Sequence, residues 1–170
     1  MDVRPTADRL RESLFNVLAA GNPEALAGSV WLDLYAGTGA VGIEAISRGA
    51  SQIYFVESSS AAVKIIRENL ASLSITTGFE VVHGDVLKAL RRFDAQSLTV
   101  DFIFLDPPYR SKQAYGETLE FLGKSSLVSA STLVITEHQK KFDPGEMMGF
   151  LQRVRRLVQG EGGLSLYRRT

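Results

Sequence analysis

Hydrophobic residues change their spacing along the chain. They recur at helical intervals in some segments and run together without interruption in others. The first pattern predicts an amphipathic helix and the second a short buried strand. In chain order, this predicts helices over 6–20, 41–48, 60–73, 86–93 and 115–122, and strands over 30–35, 53–56, 79–82, 100–105 and 131–136.

Strands and helices alternate after the first helix, which predicts a parallel sheet covered on both faces. The last segment differs, because two extended runs, 152–158 and 164–169, flank a glycine-rich link and predict an antiparallel hairpin. Residues 1–170 are therefore expected to form one α/β domain, with a leading helix within residues 1–22. The expected sheet is doubly wound and Rossmann-like, with ligand sites at the carboxyl ends of its strands.

Composition excludes several classes of site. The 170 residues include no cysteine, which rules out a disulfide framework, a thiolate zinc site and a cysteine nucleophile. No apolar run suits a membrane span or a secretory signal, so we expect a cytoplasmic protein. The 19 basic and 19 acidic side chains balance, which argues against bulk electrostatic coating of nucleic acid. Any contact with nucleic acid must therefore rest on local patches.

A glycine loop follows the first predicted strand, with Gly37, Gly39 and Gly42 at Gly-x-Gly-x-x-Gly spacing. Such glycines let the backbone turn tightly and approach a ligand, and the next helix offers free N–H groups. A dinucleotide, another nucleoside ligand or a plain strand-to-helix turn would all suit this loop. Asp33 at its entrance favours a ligand that carries an ammonium group, since a carboxylate repels a pyrophosphate.

Two further acids end the next two strands. Glu57 can accept hydrogen bonds from both hydroxyls of a ribose, or it can cap the helix that follows. Asp85 can bind the exocyclic amine of an adenine, or it can cap the helix that begins near Val86. Both acids are compatible with an adenosine cofactor.

The fourth strand, 100–105, delivers Asp106-Pro107-Pro108-Tyr109 to the same edge of the sheet. The two prolines fix the backbone, and we expect their carbonyls to lack a helix or sheet partner. A carboxylate, a carbonyl acceptor and an aromatic ring then share one small arc. A simple strand stop with a surface tyrosine is the alternative, and the neighbouring glycine loop and strand-end acids favour the ligand site over it.

At these residues the sequence resembles the class I S-adenosylmethionine-dependent methyltransferases, among them the amino-group methylators with an (Asp/Asn/Ser)-Pro-Pro-(Tyr/Phe/Trp) motif. A closer resemblance is to the RsmD family, whose members methylate the exocyclic amine of a guanine in bacterial small-subunit ribosomal RNA. It is carried by Arg4-Pro5-Thr6-Ala7-Asp8-Arg9, Glu12-Ser13-Leu14-Phe15-Asn16, Asp33-Leu34-Tyr35-Ala36-Gly37-Thr38-Gly39 and Asp106-Pro107-Pro108-Tyr109.

The resemblance implies S-adenosylmethionine as the cofactor and the N2 amine of a specific guanine as the methyl acceptor. It implies cofactor contacts by Asp33, Tyr35, Gly37, Gly39, Glu57 and Asp85. The implied catalytic residues are Asp106, Pro107 and Tyr109, and the implied RNA contacts are Pro108, Tyr109, Arg110, Arg4 and Arg9. We expect a monomer that acts on ribosomal RNA within an assembling small subunit, without a membrane or a metal ion.

Members of that family usually begin with a further basic stretch of roughly twenty residues, which this sequence does not show before Arg4. We therefore expect either a trimmed chain or a naturally short member, with an effect on the affinity for RNA and none on cofactor binding. Other basic residues are the nearby Arg11, Lys112 behind the double proline, and the hairpin arginines Arg153, Arg155, Arg156, Arg168 and Arg169. The hairpin arginines suit RNA contact or a charged edge that prevents sheet association equally well. His83 and His138 are expected to pack rather than bind a metal.

Three other functions stay open at this point. A DNA amino-methyltransferase would use the same double-proline chemistry, but the sequence shows no separate domain for target recognition. A nicotinamide-dependent oxidoreductase would use the glycine loop and leave Asp106 to Tyr109 unexplained. A non-catalytic cofactor-binding assembly factor would not need an intact Asp106, Pro107 and Tyr109.

Overall fold

The computed structural model describes residues 4–108 and 110–170, the side chains of residues 4–6 excepted. Each predicted helix and strand is present there. The helices are α1 (Arg4–Ala19), α2 (Ala40–Ser47), α3 (Ser60–Ser72), α4 (Val86–Ala95) and α5 (Lys112–Leu122). The strands are β1 (Val30–Leu34), β2 (Gln52–Glu57), β3 (Phe79–His83), β4 (Phe102–Leu105), β5 (Leu133–Gln139), β6 (Met147–Met148), β7 (Leu151–Gln159) and β8 (Gly162–Arg169).

The strands form one sheet in the order β3-β2-β1-β4-β5-β8-β7-β6. The first five strands in this order, from β3 to β5, pair in parallel. The remaining ladders, β5 with β8, β8 with β7 and β7 with β6, are antiparallel. This confirms the predicted Rossmann-like sheet and its antiparallel hairpin. The hairpin does not form the edge, however, because the unpredicted strand β6 pairs outside β7.

Helices cover both faces of the sheet. Buried residues of α1, α2 and α3 pack in one apolar cluster with Trp31 and Phe55, and those of α4 and α5 pack in another with Leu32 and Leu34. Adjacent residues of β1 thus enter different clusters, as the alternation of side chains along a strand requires. Among the described residues, no helix is long and apolar enough to cross a membrane.

The order of the strands reverses beside β1. The chain runs from β1 outward to β2 and β3, and then returns to place β4 on the other side of β1. In open α/β sheets, ligands bind outside the carboxyl ends of the strands at such a switch point. The glycine loop after β1 and the double proline after β4 therefore lie at the place where a ligand is expected.

Strand β5 continues past its predicted end at Thr136. Glu137 and His138 pair with Leu164 and Gly163 of β8, so the antiparallel ladder extends the strand through polar residues. Helix α1 ends at Ala19, one residue before its predicted end at Ala20, because the backbone then turns into the left-handed region at Ala20 and Gly21.

Gly42 in α2 leaves no space for a side chain, which gives a test of the fold. A Cβ atom there would overlap the ring of Phe55 and lie 2.8 Å from Cγ2 of Ile53. We expect Gly42→Ala to lower the free energy of unfolding by about 1 to 3 kcal/mol through overpacking. Chemical denaturation measures this change.

Gly116→Ala is the matched control, because Gly116 lies inside α5 and its Cβ position has open space around it. There we expect a stabilisation of about 1 kcal/mol from helix propensity alone. Equal effects of the two substitutions would contradict the packing of α2 against β2.

Candidate active site

Asp33 is a buried carboxyl at the end of β1. Its residue is 2% exposed, and its Oδ2 accepts a hydrogen bond of 3.1 Å from the backbone N–H of Gly42. Burial, together with a smaller effect of the charge of Glu57, raises the pKa of Asp33 to about 8 against the lowering effect of that bond. An unliganded site therefore holds Asp33 largely protonated at neutral pH.

The glycine loop is held to the second strand by Glu57. One oxygen of this carboxylate accepts from the N–H of Gly37 at 2.9 Å, and the other accepts from the N–H of Ser59 at 2.8 Å. Gly37 has a φ of +58°, and a Cβ built on it meets nothing within 4 Å, so the loop is open on that side. Gly39 begins α2 with a φ of +80°. Each carboxylate oxygen has a second lone pair, so Glu57 keeps acceptor sites for a ligand.

Tyr35, which lies between Asp33 and Gly37 in the sequence, has a strained backbone conformation. Its φ of +58° lies in the left-handed region, where residues other than glycine cost of order 1 kcal/mol or more. Its hydroxyl lies 2.8 Å from Oγ1 of Thr118 on α5, and burial raises its pKa. The side chain thus ties the glycine loop to the helix that follows the double proline.

The double proline presents Asp106 beside β1 and β5. Pro107 is buried and Pro108 is exposed. The carbonyl of Pro108 accepts from the N–H of Ser111 at 2.9 Å, which is a turn bond outside the helices and strands, so this carbonyl already has a partner. The carbonyl of Pro107 lies 3.5 Å from the hydroxyl of Tyr115, which makes a shorter bond of 2.8 Å to the carbonyl of Glu137.

Two adjoining cavities share Tyr35, Gly37 and Asp106 in their walls. The first, of about 370 Å³, is also lined by Glu57, Ser58, Pro107 and Pro108. The second, of about 450 Å³, is lined in addition by Asp33 and by Arg11 of α1. The structure therefore brings together most of the predicted cofactor-binding and catalytic residues in one elongated site.

Glu137 is a site residue that sequence reasoning missed. It lines the second cavity, and its side chain is hydrogen-bonded to that of Asp106. Burial, followed by the charge of Glu137, raises the pKa of Asp106 well above its usual range, and burial also raises the pKa of Glu137. A signal was present in the sequence, since an acid directly after the apolar strand residues of β5 repeats the pattern of Asp106 after β4.

Other predicted site residues are placed elsewhere or not described. Asp85 is exposed and caps α4, with its Oδ2 accepting from the N–H of Lys88 at 3.0 Å, and it lies outside the lining of both cavities. Arg9 and Arg110 are exposed. Tyr109 and the side chain of Arg4 lie outside the described residues. The adenine contact of Asp85 and the RNA contacts of these side chains stay predictions.

Most of the hairpin arginines contact their own protein. Arg153 lies 2.7 Å from Asp143, and the guanidinium of Arg169 stacks 3.9 Å from the ring centre of Phe150. Arg156 and Arg168 donate to the backbone carbonyls of Lys140 and Ser131. These contacts favour a structural role for these four side chains over free phosphate contacts.

The two histidines form hydrogen bonds within the protein. The buried ring of His138 lies 2.8 Å from the carbonyl of Gln139 and 2.9 Å from Oγ of Ser165, and burial lowers its pKa. His83 lies 3.1 Å from the carbonyl of Ser58. Across residues 4–108 and 110–170, no group of three acids or histidines has an arrangement that could hold a metal ion.

Comparison with known proteins places this site in a family. The family model for Conserved hypothetical protein 95 matches residues 1–168. The chain is 31% identical to the putative rRNA methyltransferase YlbH of Bacillus subtilis, over 98% of this chain and 88% of that protein. It is 29% identical to ribosomal RNA small subunit methyltransferase D of Escherichia coli K12, over 98% of this chain and 80% of that protein.

Solved structures agree with this result. The putative methyltransferase yhhF from Escherichia coli superposes with a TM-score of 0.80 at 30% identity, over 95% of this chain and 85% of that chain. A putative methyltransferase complexed with SAH has a TM-score of 0.67 at 18% identity, over 94% of this chain and 48% of that chain. The second likeness is one of fold.

The raised pKa of Asp33 predicts how stability depends on pH. Between the usual pKa of 3.8 and the folded value of about 8, the folded chain keeps a proton that the unfolded chain releases. The contribution of Asp33 to stability is therefore complete at low pH and is lost as the pH rises toward 8. Asp33→Asn cannot ionise and keeps an acceptor for Gly42. We expect the melting temperature of Asp33→Asn, relative to the wild type, to increase steadily from pH 5 to pH 8.

Thermal unfolding of both proteins without ligand, across that pH range, measures the effect. Glu120→Gln, an exposed change on α5, serves as the control and should give no pH-dependent difference. A constant offset between Asp33→Asn and the wild type would show that Asp33 is already ionised in the folded chain.

Proposed function

Because the chain belongs to the RsmD family of methyltransferases, whose matching family model is described as Conserved hypothetical protein 95, we propose that it methylates the N2 amine of a guanine in small-subunit ribosomal RNA. S-adenosylmethionine is the methyl donor, as it is across this class of enzymes. The names of the relatives support methyl transfer to ribosomal RNA. The choice of guanine N2 comes from the resemblance of the double-proline motif and its neighbouring segments.

One observation carries the proposal. Asp106 follows β4 and lines both cavities together with Gly37 of the glycine loop, whereas Pro107 lines the first cavity and Asp33 the second. Hydrogen-bond acceptors for an amine are thereby placed next to the groups expected to hold the cofactor. Such proximity is the main source of rate enhancement in a displacement reaction, where it can contribute roughly 7 to 11 kcal/mol.

The residues of the two cavities fit S-adenosylmethionine. When bound, it supplies a methyl group on a positively charged sulfur. Asp33 suits the ammonium of its methionine part, because a buried acid gains a cationic partner there. Glu57 has lone pairs left for the ribose hydroxyls, and Gly37 has an open side toward the cavities. The adenine contact proposed for Asp85 requires its carboxylate to serve both the cap of α4 and the ligand.

The chain's part in the chemistry is to prepare the amine. The lone pair of guanine N2 is delocalised into the base ring, which makes the nitrogen a weak nucleophile. Hydrogen bonds from the amine to the Asp106 carboxylate and the Pro107 carbonyl localise that lone pair and stabilise the positive charge that develops on nitrogen. The buried position of Pro107 limits competition by water for its carbonyl.

The RNA is expected to approach over the exposed Pro108, which lines the first cavity, and over the exposed Arg110 two positions later in the chain. Arg9 on α1 is also exposed, whereas Arg11 lines the second cavity. The target base has to leave a helix or lie in an unpaired loop to reach the acceptors. We further propose that the substrate is an assembling small subunit, where such a base is accessible.

Incubation with methyl-labelled S-adenosylmethionine tests the proposed function. The protein is offered naked ribosomal RNA, partly assembled small subunits and DNA in parallel, and the labelled nucleoside is identified. We expect label in N2-methylguanosine from small-subunit RNA. Label in DNA, or none with any substrate despite cofactor binding, would overturn the proposal in favour of a DNA enzyme or a non-catalytic assembly factor.

The variant Asp106→Ala tests, in the same assay, whether Asp106 is the acceptor for the target amine. We expect the rate of methyl transfer to fall about 100-fold or more, because the amine loses its anionic acceptor. Binding of SAH should stay near that of the wild type, since Glu57 and the glycine loop are unchanged. A turnover rate equal to that of the wild type would remove Asp106 from the catalytic group.

Tyr109 lies outside the described residues, and its role is taken from the motif alone. We expect Tyr109→Ala to weaken RNA binding by about 1 to 3 kcal/mol, the value of stacking one base on an aromatic ring. Tyr109→Phe keeps the ring and should bind as the wild type does. Titration of RNA with both variants distinguishes loss of stacking from loss of the hydroxyl, and unchanged affinity of Tyr109→Ala would refute the stacking role.

A further inference from the structure

Asp106 and Glu137 are neighbours across two parallel strands. Leu105 of β4 pairs with Thr136 of β5, so the next residue of each strand extends to the same edge of the sheet. Their side chains are hydrogen-bonded to each other and line the cavity that also contains Asp33. Two ionised carboxylates have only acceptors, so a hydrogen bond between two carboxyl groups requires one shared proton.

Two carboxyl groups this close do not both ionise, because each charge opposes the other. Desolvation raises the pKa of both Asp106 and Glu137, and the charge of Glu137 raises that of Asp106 further. Arg11 favours the charged form of Glu137 from the side of α1. The pair therefore carries one negative charge and one proton in the free protein, and the two carboxyl groups share that proton.

Other charged or titratable groups face the pair from each neighbouring element. Asp33 on β1 raises the pKa of Asp106, and Asp8 on α1 lines the same cavity. From α5, the hydroxyl of Tyr115 donates to the backbone carbonyl of Glu137. From β2, Glu57 acts on Asp33. Among the described residues that line this cavity, Arg11 has the one basic side chain.

A protonated Asp106 is unsuited to the proposed reaction, because a neutral acid is a weaker acceptor than a carboxylate and cannot take up the proton that the amine loses. We propose that the pair of Asp106 and Glu137 holds one proton in the free protein, releases it when the sulfonium of the cofactor binds, and regains one from the target amine during methyl transfer. The inference rests on the methyl transfer proposed above.

The charges balance through the cycle. The amine nitrogen forms a bond to the methyl carbon, the bond between that carbon and sulfur breaks, and its electron pair stays on sulfur. The proton lost by the nitrogen passes to Asp106, which again shares it with Glu137. The sulfonium charge disappears as the pair becomes protonated, so the buried site has the same net charge before and after transfer. Glu137 acts as a positioning residue for the proton on Asp106.

Proton release on ligand binding tests the pair without any RNA. Isothermal titration calorimetry at pH 7.5, in buffers of different ionisation enthalpy, counts the protons released when S-adenosylmethionine or SAH binds. Only the first ligand carries the sulfonium charge. We expect the wild type to release about one proton more with S-adenosylmethionine than with SAH. In Glu137→Gln, where Asp106 loses its charged partner, this excess should fall below half of that value.

Two further variants complete the test. Glu120→Gln on the exposed surface of α5 should keep the full excess. Arg11→Gln leaves Glu137 in place but removes the cation that favours its charged form. The pair should then keep its proton to higher pH, so the excess proton release with S-adenosylmethionine should persist to higher pH than in the wild type. Two results would contradict the shared proton: equal proton release with both ligands in the wild type, or the full excess of proton release with S-adenosylmethionine in Glu137→Gln. Failure of S-adenosylmethionine to bind would instead overturn the proposed function, and the pair with it.

The pH profile of methyl transfer separates proton handling from a structural role. Glu137→Gln should move the acidic limb of kcat to lower pH by about half a unit or more, because the pKa of Asp106 falls when the neighbouring charge is removed. The KM for RNA should stay the same. A uniform loss of activity with an unmoved limb would show that Glu137 only supports the fold.

Discussion

The hydrogen bond between the Gly42 amide and the buried carboxyl of Asp33 joins the two parts on which the site depends. It links the start of α2 to the end of β1, and so it sets the path of the glycine loop between them. The same glycine packs against Phe55 and Ile53 of β2, where a side chain would not fit. The loop can therefore be open toward its ligand on one side because the opposite side is fixed against the sheet.

The second determinant of the site is a group of desolvated acids near the ends of neighbouring strands. Asp33 lies near the end of β1, Asp106 follows β4 and Glu137 lies in the last part of β5, and all three have a raised pKa because of desolvation. Acids in such an environment are protonated when alone and ionise when a cation arrives. A cavity lined by these acids therefore favours a positively charged ligand, although the chain as a whole has equal numbers of acids and bases.

Much of the site could be predicted from the sequence, because glycine and proline restrict the backbone in recognisable ways. Gly37, Gly39 and Asp106 stand directly after apolar runs, so their place at the carboxyl edge follows from the alternation of strands and helices. Glu137 was missed because the apolar pattern predicted that β5 ends at Thr136. The strand continues further because its backbone pairs with β8. The arginines of the hairpin were visible as charges, but their partners, such as Asp143 for Arg153, come from distant segments that no local pattern reveals.

The pairing of Glu137 with Leu164 also bears on how the protein folds. The ladder from β1 to β5 forms from successive strand and helix units, whereas the end of β5 is completed only when the hairpin of β7 and β8 docks beside it. Both the ladder of β5 with β8 and the pairing of β1 with β4, such as Trp31 with Phe102, close long segments of chain and cost chain entropy. The site thus depends on both parts of the sheet, the glycine loop on the parallel strands and Glu137 on the antiparallel ladder formed by the last two strands.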